Sequence, residues 1–385
     1  MAQLPLTVLQ VIPELAAGGA ERTTLEIVEA IKAAGGRALV VSEGGRLESE
    51  LAQLGGELIR LPVKSKSPFT LRKNARLLAG IIKSEKVNVV HARSRAPAWS
   101  ALWAARRTNT PFVTTYHGAY GGKSAPKKLY NSVMARGDIV IANSEYIADI
   151  VRQTYGTPEN RLVTIPRGVD TDLFKDENLS PEKVDALRAK LGAGRPFLFV
   201  LPARLTSWKG QEVFIDALGK LSQEMRHQIS ACLVGDAQGR DDYVSGLNMR
   251  ISGLGLDNLV NISGHYSDMP TLYAASDLIL APSVRPEAFG RVAIEAGAMG
   301  TPVIVSDHGG QRETVLSGIT GWRTAPGDAD ALAEAMTAFL NMTHEARTEM
   351  GRAARTHILS HFTKARLQAD TLAVYDRVIQ MKGAA

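Results

Sequence analysis

Glu287 and Glu295 stand eight positions apart in APSVRPEAFGRVAIEAGAMGTPVIVSDHGGQRE, residues 281–313, with Phe289-Gly290-Arg291 between them. Carboxylates so placed can accept hydrogen bonds from hydroxyl groups, and the N–H groups of Phe289, Gly290 and Arg291 can donate to an anion if they open a helix. The flanking runs DLILA and PVIVS are short, apolar and rich in β-branched residues, as buried parallel strands are. The Ala-rich segment 292–299 reads as the helix between them, weakened by Gly297 and Gly300. Glu287 then falls in a strand-to-helix loop, and Glu295 one to two turns inside the helix. In an open α/β sheet, ligands bind in the crevice beyond the carboxyl ends of the strands. Taken alone, the two glutamates also fit a surface acid and a helix-face acid.

Other clusters lie in loops of the same kind. Arg204-Leu205-Thr206-Ser207-Trp208-Lys209-Gly210 follows the strand-like FLFVL, and a forked cation and a point cation five residues apart could neutralise a diphosphate. PELAAGGAER, residues 13–22, places Gly18-Gly19 between the first strand and the first helix, where a backbone can approach a phosphate closely. A glycine corner without a ligand is the alternative, and the G-x-G-x-x-G dinucleotide fingerprint is absent. His117 ends a strand in Thr115-Tyr116-His117-Gly118. Asn143-Ser144-Glu145 reads as a helix cap. Val234-Gly235-Asp236 and Ser263-Gly264-His265-Tyr266 end strands of the second half.

The stretch 281–313, with Gly309-Gly310-x-x-Glu313 at its end, resembles the signature of the retaining glycosyltransferases of the glycogen-synthase-like group (glycosyltransferase family 4). The resemblance extends to Arg204-x-x-x-x-Lys209-Gly210, to His117-Gly118 and to the Gly18-Gly19-x-Glu21 turn, in family order from residue 18 to 313. It implies that Glu287 lies against a donor sugar and Glu295 binds a nucleotide ribose. It also implies that Arg204 and Lys209 bind a diphosphate, His117 sits near the donor sugar, and Gly18-Gly19 faces the donor phosphates or the acceptor. Arg285, before Pro286-Glu287, departs from the acid or small residue common there and bears on which donor fits. The implied activity is transfer of a sugar, with retained configuration, from a nucleotide-diphosphate sugar to a hydroxyl; no cofactor is expected, and no metal, because the sequence offers no Asp-x-Asp pair placed as a metal clamp. The expected acceptor is a lipid-linked or lipopolysaccharide-type cell-surface glycan of the cell envelope.

Strand and helix signals alternate through both halves. Strands are expected at 6–12, 38–41, 58–61, 87–91, 112–116, 139–142 and 162–165, and again at 197–201, 229–234, 259–262, 278–281 and 303–305. Helices are expected between them, at 20–33 and from a Ser67 cap with Pro68 to 84. The fold class is α/β: two Rossmann-like, doubly wound parallel-sheet domains facing a cleft, the GT-B arrangement. The expected domains are 1–172 on the acceptor side and 195–362 for the nucleotide sugar, joined by a polar linker, 173–194. A last helix, 363–385, is expected to cross back to the first domain, as the resemblance implies.

The chain of 385 residues is longer than one core usually supports. Its single cysteine, Cys232, lies in an apolar run, so no intrachain disulfide is possible. No apolar run reaches membrane-spanning length, and LPLTVLQVIP lacks a basic leader and cleavage site, so a cytoplasmic protein is expected. Asp328-Ala329-Asp330 reads as a helix cap rather than a metal clamp. Residues 60–137 hold 16 Lys/Arg against one acid, Glu85. That imbalance predicts an anionic partner, a membrane surface or an anionic acceptor, with Lys123, Lys127 and Lys128 beside Tyr120, Leu129 and Tyr130 as the docking group. Peripheral attachment to the inner face of the plasma membrane would follow. A nucleic-acid binder is disfavoured because aromatic interleaving and reader motifs are missing. A sugar-nucleotide epimerase of related fold would not need the Glu287/Glu295 pair, and a nicotinamide oxidoreductase would need the missing glycine fingerprint.

Overall fold

The computed structural model describes residues 6–16, 18–120, 124–192 and 194–383, so Lys123 lies outside the described residues. The chain forms two units, Met1–Arg167 with Lys364–Ala385, and Gly168–Thr363.

The first unit is built on seven strands: β1 (Thr7–Val11), β2 (Arg37–Ser42), β3 (Glu57–Arg60), β4 (Val89–Ala92), β5 (Phe112–Tyr116), β6 (Ile139–Ala142) and β7 (Leu162–Thr164). They pair in parallel in the order β3-β2-β1-β4-β5-β6-β7. All five residues of β1 are buried, as a central strand covered on both faces requires. Helix Gly19–Ala33 supplies Leu25, Ile27, Val28 and Ile31 to one face, at the spacing that puts them on one apolar stripe. Leu367, Val374, Tyr375 and Val378 of the last helix, Lys364–Gly383, enter the same core.

The second unit holds β8 (Phe197–Pro202), β9 (Ile229–Val234), β10 (Val260–Ser263), β11 (Leu278–Ala281), β12 (Val303–Ser306) and β13 (Gly321–Thr324). Their order is β10-β9-β8-β11-β12-β13, again all parallel. The two-residue period of a strand divides its side chains between two cores. Phe199 and Leu201 join Leu233, Leu280 and Ile304 on one face. Leu198 and Val200 join Cys232, Ile279, Val303 and Val305 on the other. Cys232 is fully buried there, and burial pushes its thiol up to about 12.

Differences from the sequence reading are local. Residues 173–194 are not only a polar connection: Phe174, Leu187 and Leu191 are buried in the second unit, and helix Pro181–Lys190 starts at Ser180, whose hydroxyl accepts from Lys183 N–H. The units divide instead at Arg167/Gly168 and Thr363/Lys364. Ser67 precedes helix Pro68–Ser84 but makes no side-chain cap bond. Strand β13, GWRT, was not expected, because an edge strand without a β-branched apolar run leaves little pattern. Asp328 caps helix Ala329–Leu340, accepting from the N–H groups of Asp330 and Ala331. Among the described residues no helix is long and apolar enough to cross a membrane.

Candidate active site

Strand order reverses between β8 and β11, so the loops after these two neighbours leave toward opposite faces and open a crevice at the carboxyl edge. The loop after β8 carries Arg204 to Gly210, and the loop after β11 carries Ser283 to Gly290. Close backbone approach joins them: Val284 N–H donates to the Trp208 carbonyl at 2.9 Å, and a Cβ on Gly210 would collide with the Pro282 carbonyl oxygen. Across the join, Lys209 Nζ donates to Glu287 Oε1 at 2.8 Å, with side chains only 14% and 16% exposed. Ser283 Oγ donates to the same carboxylate oxygen. His308 Nε2 donates to the Ser283 carbonyl at 2.8 Å, steadying the loop from a third side.

Lys209 is further held 4.4 Å over the Trp208 ring. Arg204 is exposed, and its side chain has no protein partner among the described residues. Its backbone is fixed instead, by Gln211 Nε2 donating to the Arg204 carbonyl at 3.0 Å. One cation of the pair is thus preorganised against a carboxylate, while the other is available to an incoming anion.

The downstream Gly309-Gly310 has a steric reason. Gly310 N–H donates to the Glu287 carbonyl at 2.8 Å, and a Cβ on Gly309 or Gly310 would run into the backbone of Glu287 or Ala288. The Phe289 side chain is buried and packs against Phe362 with centroids 5.8 Å apart, so it anchors the loop and leaves only its backbone for a ligand. Gly290 is the N-cap of helix Arg291–Ala298 and has no side chain to compete with an anion.

Glu295 lies in that helix with both oxygens engaged. Tyr273 hydroxyl donates to Oε2 at 2.9 Å, and Arg291 Nε donates to Oε1 at 3.1 Å. Tyr273 is buried, which, with Glu295 beside it, holds its phenol well above the usual range and keeps it a neutral donor. Gly235 packs on the Ala203 carbonyl at the edge of the same loop set.

In the first unit the loop ends are also linked. Arg167 donates to His117 Nδ1 and to Thr23 Oγ1, and Thr23 Oγ1 donates to the Gly19 carbonyl at 2.8 Å. A buried guanidinium therefore joins two places that sequence brought forward separately. Because Nδ1 accepts, the ring proton of His117 is on Nε2, a buried atom with no protein partner. Burial, then the charge of Arg167, holds the imidazole pKa well below its usual value, so it is neutral. Ser144 behaves as the cap expected, accepting from Ile147 N–H at 3.1 Å.

Ser283, His308, Tyr273, Thr23 and Arg167 were not singled out from sequence. Each is an ordinary residue type whose role comes from a neighbour 4 to 144 positions away. Arg167 in IPRGVD offered the one usable signal, an arginine beside a strand end.

Comparison with known proteins matches both units. Residues 17–173 match the model for Glycosyltransferase Family 4 and residues 183–357 the model for Glycosyl transferases group 1. The chain is 27% identical to D-inositol 3-phosphate glycosyltransferase 1 of Catenulispora acidiphila, over 78% of this chain and 75% of that one. The crystal structure of a glycosyltransferase from Rickettsia africae overlays with a TM-score of 0.91 at 36% identity, covering 98% of this chain and 99% of that one. Anabaena HepE in complex with UDP and glucose overlays with a TM-score of 0.82 at 28% identity, covering 96% and 100%. With two consecutive family models accounting for its two parallel-sheet units, the chain belongs to the family 4, group 1 glycosyltransferases of the GT-B fold class.

Proposed function

We propose that this glycosyltransferase moves a sugar from a nucleotide-diphosphate sugar to an acceptor hydroxyl, with retained anomeric configuration and without a metal. The observation that carries the reading is the Lys209–Glu287 bond across the switch point of the second unit. As the donor bond breaks, an oxocarbenium-like centre forms and negative charge grows on the departing diphosphate. Arg204 and Lys209 supply positive charge to that diphosphate, with the open helix end at Gly290 and the N–H groups of Phe289 and Arg291 beside it. Glu287 takes the donor sugar, held by Ser283 and Lys209 so that little reorganisation is needed when the substrate arrives. Glu295 takes the ribose hydroxyls, with Tyr273 and Arg291 setting its orientation.

For the first unit, His117 offers a neutral Nε2–H, and Gly18-Gly19 an open helix end, to a substrate group. Complexes of Anabaena HepE with UDP and with UDP-glucose make a uridine diphosphate sugar the first donor to try. The test is calorimetry with uridine, guanosine and adenosine diphosphates, followed by NMR of the anomeric proton in the product of the best donor. An inverted product, or no binding of any nucleoside diphosphate, would end the proposal.

A lipid-linked acceptor at an anionic membrane is supported by apolar side chains exposed among cations. Phe69 is 82% exposed and Leu129 59% exposed. Exposed Arg72, Lys73, Arg76, Lys127 and Lys128 have no carboxylate partner among the described residues. The lone acid of the segment, Glu85, is taken by Arg37 at 2.8 Å. At about 1 kcal/mol per basic residue near an anionic leaflet, a few of these suffice for reversible attachment at the inner face of a plasma membrane. Co-sedimentation with phosphatidylglycerol vesicles, lost in high salt and weakened by Lys127→Ala/Lys128→Ala, is the expected result. Binding indifferent to lipid charge would remove the membrane from the proposal.

A further inference from the structure

We infer that copies of this chain associate through a groove on the first unit and a knob on the second: Leu173 of one copy, with the acids around it, seats against Trp99 and Trp103 of another. The groove is a cavity of about 410 Å³ lined by Trp99, Leu102, Trp103, Arg106, Arg136 and Arg161, with Ala135, and no carboxylate lines it. The pairing does not rest on the sugar-transfer reading above.

Trp99, Leu102, Trp103 and Arg106 lie on the helix Arg95–Thr108, which runs back from the carboxyl edge of the sheet after β4. Arg136 and Arg161 come just before β6 and β7, at the amino edge. Small ligands of an open parallel sheet collect at the opposite edge, where His117 ends β5. A partner held in the groove therefore leaves the ligand edge of the first unit uncovered.

The groove has the composition of a protein-binding anchor site. Its two indoles lie 5.9 Å apart between centroids, and Trp103 is 40% exposed. Trp99 Nε1 donates to the Tyr130 carbonyl at 3.1 Å, so that ring is held before any partner arrives. The Arg136 guanidinium rests 5.2 Å over the same ring, and Arg161 donates to the Gly137 carbonyl. Neither arginine has a carboxylate partner among the described residues. Arg106 has only a 3.7 Å contact with Asp138, which also accepts from Phe112 N–H and lies 3.9 Å from Lys382. Tryptophan and arginine are the residues that dominate interface energies between proteins. A leaflet receives side chains that project, as Phe69 and Leu129 do, whereas a recess receives a side chain that projects from another surface. Three guanidiniums select one flanked by carboxylates, which their forks can bond in pairs.

The chain itself carries that counterpart. In DTDLFKDEN, residues 170–178, Leu173 is 52% exposed among exposed Asp172, Asp176 and Glu177, with Lys175 the one cation between them. Those three acids have no ion-pair partner among the described residues. Met249 and Ile319 are exposed as well, but have no acid beside them in the sequence. The knob is also set in advance. Phe174 is buried in the second unit, and the N–H groups of Leu173 and Phe174 donate to the Asp170 carbonyl at 3.2 and 2.9 Å. Asn178 Nδ2 donates to the Leu173 carbonyl at 3.3 Å. A side chain presented on a fixed turn loses little freedom on docking. Groove and knob are different surfaces, so copies join head to tail, and growth ends where the last groove takes the first knob.

The test is sedimentation velocity of the full chain at low and high salt, over about a hundredfold range of concentration so that mass action is visible. The mean mass should rise above that of one copy as concentration rises, and rise less at high salt, because exposed ion pairs are screened. Trp103→Ala and Leu173→Asp should each raise the dissociation constant at least about tenfold, as loss of an interface anchor does, with circular dichroism unchanged. Arg136→Glu should weaken association likewise by reversing a charge of the groove. Trp103→Ala is then mixed with Leu173→Asp at a concentration where neither associates alone. One copy keeps its knob and the other its groove, so the mixture should form one-to-one pairs and nothing larger. A native chain that stays a single copy throughout, association that these variants leave unchanged, or a mixture without pairs would overturn the inference. Binding to phosphatidylglycerol vesicles that Trp103→Ala abolishes, with no rise in native mass, would give the groove to a leaflet and overturn it too.

Discussion

Lys209 and Glu287, 78 positions apart in the chain, share a 2.8 Å hydrogen bond that joins the loops after two adjacent strands. A largely buried ion pair of this kind contributes little net stability, but its loss leaves one charge uncompensated. On the proposed reading it holds a cation where a diphosphate would depart. Lys209→Ala and Arg204→Ala are each expected to lower kcat by roughly a hundredfold or more, the scale of removing one preorganised donor. Arg204 is the cleaner probe, because its side chain has no protein partner among the described residues to disturb. Initial rates at saturating donor check both, and near-normal turnover in the pair of variants would refute the assignment.

The two glutamates should separate in their effects. Glu295→Ala is expected to weaken UDP binding about tenfold, as losing a hydrogen-bonded charged group does, while Glu287→Ala leaves UDP binding close to normal and lowers kcat. Tyr273→Phe should fall between native and Glu295→Ala, since it removes one of the two bonds that orient the carboxylate and leaves that from Arg291. Calorimetry with UDP is the measurement; equal loss of binding at both glutamates contradicts the division.

Activity should survive a chelator. Arg204, Lys209 and the open helix end at Gly290 would all direct positive charge at the proposed diphosphate, the part a divalent ion plays where one is used. Turnover measured before and after dialysis against EDTA decides this, and rescue by Mn²⁺ or Mg²⁺ would contradict it.

Acid should destabilise the first unit through two buried imidazoles. His91 accepts or donates to Tyr375 and Thr115 at 2.7 Å each, and burial, then Arg93, holds its pKa well below the usual value; His117 is depressed likewise. When the folded pKa is depressed, the unfolded chain binds the extra proton, so stability is full above the unfolded value near 6.5 and falls as pH drops below it. The slope approaches about 1.4 kcal/mol per pH unit for each histidine. Urea unfolding followed from pH 7.5 to 5.5 should show proton uptake approaching one for each of these two histidines at the acid end, with a further contribution from His357, whose pKa burial and then His361 also lower, and His117→Gln should remove one.

Gly310→Ala should displace the Glu287 loop, because the added Cβ meets the Ala288 carbonyl. A fall in kcat of at least about tenfold is expected, with the fold kept, because misplacing a reacting group costs rate steeply. Circular dichroism together with initial rates tests it.

The sequence by itself determined the parts that depend on local pattern. Apolar runs such as IVIA and LILA need burial on both faces, and glycines and caps between them mark where helices begin, so twelve of the thirteen strands and the loop positions of Glu287, Arg204, Lys209 and His117 were legible. Phe289-Gly290 between two glutamates carried the family. Only the tertiary structure decided which of these residues touch. Strand order β10-β9-β8-β11 makes neighbours of loops about 80 residues apart, and nothing in local spacing records that order. Tyr273 under Glu295, Arg167 against His117, and Arg95 fixed by Asn131 and Tyr120 are pairings of common residue types, chosen by sheet topology and close packing rather than by propensity. The polar segment 173–194 shows the same limit: its few apolar residues, Phe174, Leu187 and Leu191, belong to the second unit because they are buried in its core, which their sparse spacing in a charged run could not reveal.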